Sequence, residues 1–121
     1  MNYLEKIQDL YAMIESGKLL EAFDKYYHED IVMIEATGEV REGKEFNREH
    51  EEKHMAGIKE FHGFGVYGIT SNEEEGITMV ESWMDVTMAE GGYRMKMEEV
   101  AVQHWEDDLI IRERFYYNVP K

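Results

Sequence analysis

The sequence contains no cysteine and only one proline among its 121 residues. Without cysteine, the chain can form neither disulfides nor thiolate metal sites. Cations are also scarce, because 13 Lys and Arg residues stand against 27 Asp and Glu residues, which gives a formal net charge of −14 at pH 7. Such an acidic surface repels a phosphate backbone, so we expect no nucleic-acid partner.

Long hydrophobic runs are absent too. No window approaches the roughly 20 consecutive apolar residues that cross a bilayer, and Met1–Lys6 lacks the basic and apolar regions of a secretory signal. We therefore expect a cytoplasmic protein without a membrane partner. Hydrophobic residues nevertheless make up 43% of the chain, which at this length predicts one domain with one core over residues 1–121.

The N-terminal half shows helical periodicity. Apolar residues recur every three or four positions from Leu4 to Ile14, and Gly17 supplies a favourable helix end. A second helix and a short strand at 31–35 follow. A third helix is predicted from Lys44 to Ala56, and its stripe of Phe46, His50 and His54 indicates that it lies across an opening.

The C-terminal half shows the alternation of strands. Four strands are predicted, at 61–71, 77–88, 93–105 and 109–118, separated by acidic or glycine-rich turns. Helices followed by an antiparallel sheet predict an α+β domain in which the helices cover one face of the sheet.

The segment Asp108–Asn118 begins as an aliphatic strand, turns charged and then becomes aromatic. It resembles the last strand of the SnoaL-like branch of the nuclear-transport-factor-2-like superfamily, although Asn118 replaces a closing Asp. The resemblance covers nearly the whole chain through the order of its elements. It implies a strongly curved, mainly antiparallel sheet around the N-terminal helices, a cystatin-like α+β barrel with a conical pocket. Such pockets are isomerase, cyclase or hydrolase sites in some members and hold a ligand in others.

Strand alternation predicts which side chains face this cone. We expect the odd-numbered positions of the last three strands to point inward, where they combine large apolar residues with acids and contain no Lys or Arg. The inward acids would be Glu81, Asp85, Glu99 and Glu113. Buried carboxylates without a cation on their own strand have raised pKa values or take partners from elsewhere. The alternative is that these acids are solvated at a rim, since one β-bulge reverses the parity of a strand.

Superfamily enzymes imply roles for particular positions. The general-base Asp of ketosteroid isomerases falls on Glu35, whereas their oxyanion tyrosine falls on Leu10, with Tyr11 beside it. By this resemblance the sequence keeps a carboxylate at the position of the general base and lacks the tyrosine of the oxyanion hole. The Arg-x-Asp pair of limonene epoxide hydrolases keeps only Asp85, and Phe115 takes the place of their second acid.

The segment His50–His54 also fits H-E-x-x-H, in which two histidines can bind zinc and the intervening Glu acts as a base. The helix is too polar on most sides for the buried helix of a metalloprotease, so zinc hydrolysis is kept as a remote alternative. We favour His50 and His54 as pocket-rim residues or as partners for the carboxylates.

We therefore expect a pocket without metal or cofactor that accepts a small apolar molecule. The leading function is acid-base catalysis in which Glu35 or Asp85 takes a proton and His50 relays charge. The alternative is a non-catalytic ligand-binding or structural dimerisation domain. The candidate catalytic residues are Glu35, Asp85, His50 and Glu113, and the candidate ligand contacts are Tyr11, Met79, Trp83, Met97, Phe115 and His54.

A homodimer through the outer side of the sheet is predicted as well, because the even-numbered positions carry apolar residues. These are Val80, Met84, Val86, Val100, Val102 and Tyr116.

Overall fold

The computed structural model describes residues 1–119, which form three helices and one six-stranded sheet. The helices are α1 (Tyr3–Glu15), α2 (Leu19–Tyr26) and α3 (Lys44–Ala56), and the strands are β1 (Tyr27–Ile34), β2 (Val40–Glu42), β3 (Ile58–Asn72), β4 (Ile77–Met88), β5 (Arg94–Glu106) and β6 (Leu109–Tyr116). No helix within residues 1–119 is long and apolar enough to cross a membrane.

Helix α1 begins at a capping box. The Asn2 side chain accepts a hydrogen bond from the Glu5 backbone at 2.8 Å, and the Glu5 carboxylate accepts one from the Asn2 backbone at 3.2 Å. The helix ends before Gly17, whose φ of 84° suits glycine. One face of α1, which includes Ile7 and Leu10, is fully buried against the sheet.

The sheet order is β2-β1-β6-β5-β4-β3, and only the β1–β6 pair is parallel among these strands. Strand β3 carries three register irregularities against β4, and such bulges bend a strand. The α+β fold with a curved sheet around helices is confirmed, and the sheet stays open between β2 and β3 rather than closing into a barrel. Strand β2 has three residues, too few to show a period in the sequence.

The cone has a closed end and an open end. At the closed end, Phe23 of α2 is buried in the core together with Ile31, Trp105 and Ile110 of the sheet. Towards the other end the inward-facing side chains become accessible, and Phe61, which lies opposite the buried Val86, is 58% exposed. Helix α3 packs on β1, β2 and β3, so it covers one side of the open end, as predicted.

The expected facing of β4 is wrong. Thr78, Val80 and Ser82 are buried on the concave side, because Val80 pairs with Ala101 and Ser82 pairs with Glu99. Residues directly opposite each other share a face, so the odd-numbered residues of β4 lie on the outer face. The displaced residues are Met79, Glu81, Trp83 and Asp85.

Two of these outer residues have evident partners. Trp83 lies across Gly63 and Gly65 of β3, and a Cβ atom on Gly65 would come within 2.4 Å of Trp83 Nε1. Asp85 accepts two hydrogen bonds from Arg94, at 3.0 and 2.9 Å, which hold the pKa of Asp85 below its usual range.

Candidate functional site

Four carboxyl groups converge inside the cone from different elements. Glu35 follows the end of β1, Glu51 lies on α3, Glu99 on β5 and Glu113 on β6. Glu99 and Glu113 lie on the concave face, because they pair with the buried Ser82 and Gln103. The charge of Glu35 raises the pKa of both Glu51 and Glu99. The cone therefore contains the acidic interior that strand alternation predicted for β5 and β6.

Glu113 is the most deeply buried of the four, with 2% of its surface exposed. Its Oε1 accepts a hydrogen bond from the Tyr27 hydroxyl at 2.5 Å, and its Oε2 accepts one from Gln103 Nε2 at 2.7 Å. Burial raises the pKa of Glu113 to about 7, against the opposing effect of these two hydrogen bonds. Both of its oxygens thus have partners in the protein.

The Gln103 amide is itself fixed from the other side. Its Oε1 accepts a hydrogen bond from Thr78 Oγ1 at 2.7 Å, and that hydroxyl in turn accepts one from Trp105 Nε1 at 2.9 Å. A buried polar chain with every member satisfied holds its end group rigidly. This chain explains why Thr78 faces inward, and it fixes Glu113 in position.

Glu51 and Glu99 are only half-buried and have no hydrogen-bond partner among residues 1–119. The pKa of each is raised to about 7, mainly by burial, with a smaller contribution from the charges of neighbouring carboxylates. A carboxyl group with such a pKa exchanges its proton near neutral pH. These two groups have the protonation behaviour and the accessibility of acid-base residues.

Arg41, on β2, is a buried cation that lies beside these glutamates. It is 2% exposed, and its Nη2 donates a hydrogen bond to Glu35 Oε1 at 2.7 Å. The Tyr117 hydroxyl donates to the other Glu35 oxygen at 2.8 Å. Arg41 Nε donates to Asn47 Oδ1 at 3.2 Å, which ties β2 to the first turn of α3. The positive charge of Arg41 also lowers the pKa of Glu51, against the larger effect of burial.

Tyr11 lies among these acids with 6% of its surface exposed. Its ring stacks on Phe64 at a centroid distance of 6.2 Å. Burial, followed by the charges of Glu113 and Glu99, raises the pKa of Tyr11 well above its usual value. Tyr11 therefore carries a neutral hydroxyl, and its ring lies against Phe64 on the concave face. Its contact with a ligand stays a prediction.

His50 and His54 lie on α3 near the mouth. His54 is exposed on its solvent side, yet partial burial and the neighbouring His50 lower its pKa. Among residues 1–119, no three His, Asp or Glu side chains come close enough together to hold a metal ion. The H-E-x-x-H segment thus places Glu51 in the cone without forming a three-ligand site in the described chain.

The walls near the mouth are apolar and adaptable. Met97 lies opposite Met84 across β4 and β5, and Phe115 lies opposite Ala101 on the same concave face. These side chains are half-buried, so part of their surface borders open space. Methionine adjusts its shape more readily than other apolar residues.

The structure thus brings together part of the predicted site. The predicted residues found at the cone are Glu35, Glu113, His50, His54, Tyr11, Met97 and Phe115. Asp85, Met79 and Trp83 lie on the outer face and are corrected. Residues missing from the predicted site are Arg41 and Glu51, while Glu99 and Tyr117 had been placed inward without a role. The position of Glu51 one residue beyond His50 was the signal in the sequence, since α3 was expected to cross the opening.

Two open depressions lie elsewhere on the surface. One, of about 470 Å³, lies beside the first turns of α3 and is lined by Glu29, Gly43, Lys44, Glu45, Phe46 and Glu49. The other, of about 280 Å³, lies between β3, β4 and β5 around Met79. Neither depression includes Glu35, Glu51, Glu99 or Glu113.

Comparison with known proteins agrees with this fold. Residues 2–117 match the SnoaL-like domain family. A proposed SnoaL-like polyketide cyclase (carbohydrate phosphatase) of Mesorhizobium loti is 30% identical, with a TM-score of 0.86 over 97% of this chain and 100% of that chain. A proposed polyketide cyclase of Pseudomonas putida is 19% identical, with a TM-score of 0.82 over 98% of this chain and 93% of that chain.

A third structure, from Catenulispora acidiphila, has a ketosteroid isomerase-like fold and was solved in complex with trimethylamine. It is 14% identical, with a TM-score of 0.75 over 93% of this chain and 85% of that chain. No protein of curated function matches this sequence.

Proposed function

The chain belongs to the SnoaL-like domain family, and we propose that its cone binds a small, largely apolar molecule and performs acid-base chemistry of the isomerase, cyclase or hydrolase type. The observation that carries the proposal is the pair Glu51 and Glu99. Both carboxyl groups have a pKa raised to about 7, and no residue within 1–119 occupies their oxygens. Such groups can donate or accept a proton at neutral pH.

The four carboxyl groups then have different roles. Glu99 and Glu51 exchange protons with the bound molecule from β5 and from α3. Glu113 is a positioning residue, because Tyr27 and Gln103 occupy both of its oxygens and its charge acts on its neighbours. Glu35, the base expected from the sequence, is paired with Arg41 and Tyr117, so it anchors α3 and the strand end rather than moving a proton.

The substrate body lies against the apolar walls near the mouth. Phe64, Met97 and Phe115 are half-buried on the concave face, where they can enclose an apolar group while leaving its polar end near Glu99. This placement is typical of ligand pockets, which combine apolar walls with a few polar groups.

Hydrogen–deuterium exchange at carbon tests the chemistry before the substrate is known. A panel of cyclic ketones, with and without an amino group, is incubated in D₂O with the protein, and loss of the α-proton signal is followed by NMR. We expect catalysed exchange, reduced about 100-fold by Glu99→Gln, as is typical for loss of a general base. Glu81→Gln, which removes one charge from the exposed outer face of β4, should leave the rate unchanged.

The competing function is a binding domain without chemistry. Exchange rates equal in wild type and Glu99→Gln for every ketone, together with saturable binding of one of them, would favour that alternative. Catalysed exchange with loss in both Glu99→Gln and Glu51→Gln would support two proton-transfer groups.

A further inference from the structure

The outer face of the sheet carries an exposed apolar patch with a depression at its edge. Met79 on β4 and Tyr116 on β6 are 43% and 50% exposed, and the half-buried Val100 and Val102 lie between them on β5. The depression, of about 280 Å³, borders the patch on the β3 side, and its lining includes Met79, Glu81 and Val100. An exposed apolar patch rimmed by polar residues marks a surface that contacts another molecule.

Arg114 lies at this patch and lacks an acceptor. It is opposite Val102 on β6, and its guanidinium carbon lies 5.2 Å from the centre of the Tyr116 ring. Its Nε is buried without a hydrogen-bond partner in the described chain. Arg48 contacts the carboxylate of Asp24, whereas Arg114 forms no ion pair within residues 1–119. A buried donor without an acceptor is costly, so this position favours an acceptor from outside the chain.

Glu81 is a matching acceptor on the other side of the patch. It is exposed on β4 opposite Val100, and none of the described residues forms a hydrogen bond or an ion pair with its carboxylate. Arg114 is opposite Val102 on β6, so the two charges lie diagonally across the two valines. A two-fold axis that runs between two facing sheets, and between the two valines, can exchange these positions. In such an interface residue i contacts residue j and j contacts i, so the contact forms twice.

The charge of this face also favours a second copy of the chain. Two chains with a net charge of −14 repel each other over most of their surface. The outer positions of β5 from Arg94 to His104, with their direct neighbours on β4 and β6, are close to neutral, so two copies approach there against less repulsion. These positions combine four cations, Arg94, Lys96, Arg112 and Arg114, with three acids, Glu81, Asp85 and Glu98. A strongly basic or acidic partner finds no matching excess of charge on this face.

We propose that two copies of this chain pack face to face through the outer sheet, with Arg114 of one copy bonded to Glu81 of the partner subunit. The Tyr116 ring beside Arg114 then enters the partner's depression. The apolar patch alone sets no register between the two sheets, because apolar contacts are non-directional. The two reciprocal ion pairs fix that register. The contact is independent of the chemistry in the cone, which lies on the opposite face of the sheet.

Exchange of the two charges tests this contact. Full-length protein is studied by sedimentation equilibrium at pH 7, where the wild type should be a dimer at micromolar concentration. Arg114→Glu and Glu81→Arg should each weaken dimerisation at least about tenfold, because each variant places two pairs of like charges in contact. The double variant Arg114→Glu/Glu81→Arg restores opposite charges and should return to within about threefold of the wild type.

Arg112→Glu is the matched control, since it makes the same charge change two residues away on the same face. It should weaken dimerisation less than Arg114→Glu does, and the double variant Arg112→Glu/Glu81→Arg should show no rescue. Equal rescue by both double variants would show only a general balance of charge and would overturn the proposal.

A second measurement does not depend on charge-reversed variants. The chain contains no cysteine, so only introduced thiols react with a short bismaleimide cross-linker. A mixture of Glu81→Cys and Arg114→Cys proteins should give a linked dimer that joins the two different chains, as detected by mass spectrometry. A mixture of Glu81→Cys with Glu21→Cys, which lies on the exposed side of α2, should give no such dimer.

Each outcome either supports or overturns the contact. Rescue by charge exchange together with the mixed cross-link supports it, and the cross-link decides if the double variant does not fold. A monomeric wild type overturns the proposal, as does a folded double variant without rescue. A dimer that is unaffected by Arg114→Glu and Glu81→Arg would show that solvent satisfies Arg114 and that the copies meet elsewhere, which also overturns it. None of these outcomes alters the hydrogen–deuterium exchange expected in the cone.

Discussion

Arg41 and Glu35 form an ion pair at the mouth of the cone, with 2.7 Å between Nη2 and Oε1 and side chains that are 2% and 19% exposed. The pair neutralises one interior carboxylate and, through Asn47, joins the β1–β2 hairpin to α3. Within residues 1–119 the other three glutamates form no ion pair, although the charge of Arg41 lowers the pKa of Glu51. Burial and mutual repulsion therefore raise their pKa values, which makes the interior able to exchange protons.

Replacing Arg41 by Met should destabilise the fold by about 3 kcal/mol, since it leaves Glu35 charged, mostly buried and without its cation. Arg41→Lys should cost less than Arg41→Met, because it keeps the positive charge beside Glu35. It should still cost some stability, since the bond to Asn47 is lost. Urea unfolding at pH 7 measures both. The matched control is Arg94→Met, whose partner Asp85 lies on the exposed outer face, with an expected loss under about 1 kcal/mol. Equal losses for Arg41→Met and Arg94→Met would contradict the structural role of the pair.

The unfolding free energy should fall as the pH rises from about 5 to 8. Glu51, Glu99 and Glu113 have folded pKa values raised to about 7 from an ordinary 4.5. The folded state therefore holds more protons than the unfolded state in this range, and that stabilisation is lost as the pH passes through about 7. Glu99→Gln should reduce the slope and leave the protein equally or more stable at pH 8.

The contrasting variant is Glu35→Gln, which breaks the bond to Arg41 and should destabilise the fold by about 1 to 3 kcal/mol.

Stability should fall again below about pH 4, because three aspartates in ion pairs have lowered pKa values. The pairs are Asp9 with Lys25, Asp24 with Arg48 and Asp85 with Arg94. Thermal melts from pH 3 to 8 measure both limbs. A stability that rises between pH 5 and 8 would contradict the raised pKa values.

The structure differs most from the sequence-based prediction on β4. The larger apolar residues, Met79 and Trp83, suggested an inward face, yet Trp83 covers two glycines on the outside. The inward face contains Thr78 and Ser82, whose hydroxyl groups are small enough to be buried, and Thr78 bonds to Gln103. Hydrogen-bond partners on other strands determine which face of a strand turns inward, and the sequence of one strand alone does not reveal those partners.

Other parts followed from the sequence because their signals were local. Helix α3 was predicted within its observed bounds of Lys44–Ala56, and the concave positions of Glu99, Glu113 and Phe115 followed from alternation. A register shift between His104 and Trp105 places Ile110 inward instead of the expected Ile111. Arg41 was missed because its function depends on a three-residue strand and on Glu35 and Asn47, which come from other elements.

The outer face predicts a homodimer through only some of the expected residues, with Met79 added to them. Val80 and Val86 are buried inside, whereas Met79, Val100, Val102 and Tyr116 adjoin one another across β4, β5 and β6 on the outside. We propose that a second copy covers this patch. Sedimentation should give a dimer at micromolar concentration, and Val102→Glu should give a folded monomer. A monomeric wild-type protein would remove the proposal.

The H-E-x-x-H segment should not make the protein a zinc enzyme. Purified protein is expected to retain far less than one zinc per chain, and His50→Ala and His54→Ala should leave its zinc content and stability unchanged. Elemental analysis and thermal melts check this. Stoichiometric zinc that is lost from His50→Ala would establish the remote alternative instead.

The most direct test of the acid-base account is the titration of the glutamate side chains by NMR. In protein labelled with ¹³C at glutamate Cδ, the signals of Glu99 and Glu51 are assigned by their loss in Glu99→Gln and Glu51→Gln, and exposed Glu81 serves as an internal reference. The account predicts midpoints of about 7 for Glu99 and Glu51. If both groups titrate near the ordinary glutamate value of about 4.5, the cone contains no proton-exchanging pair at neutral pH and the central claim is wrong.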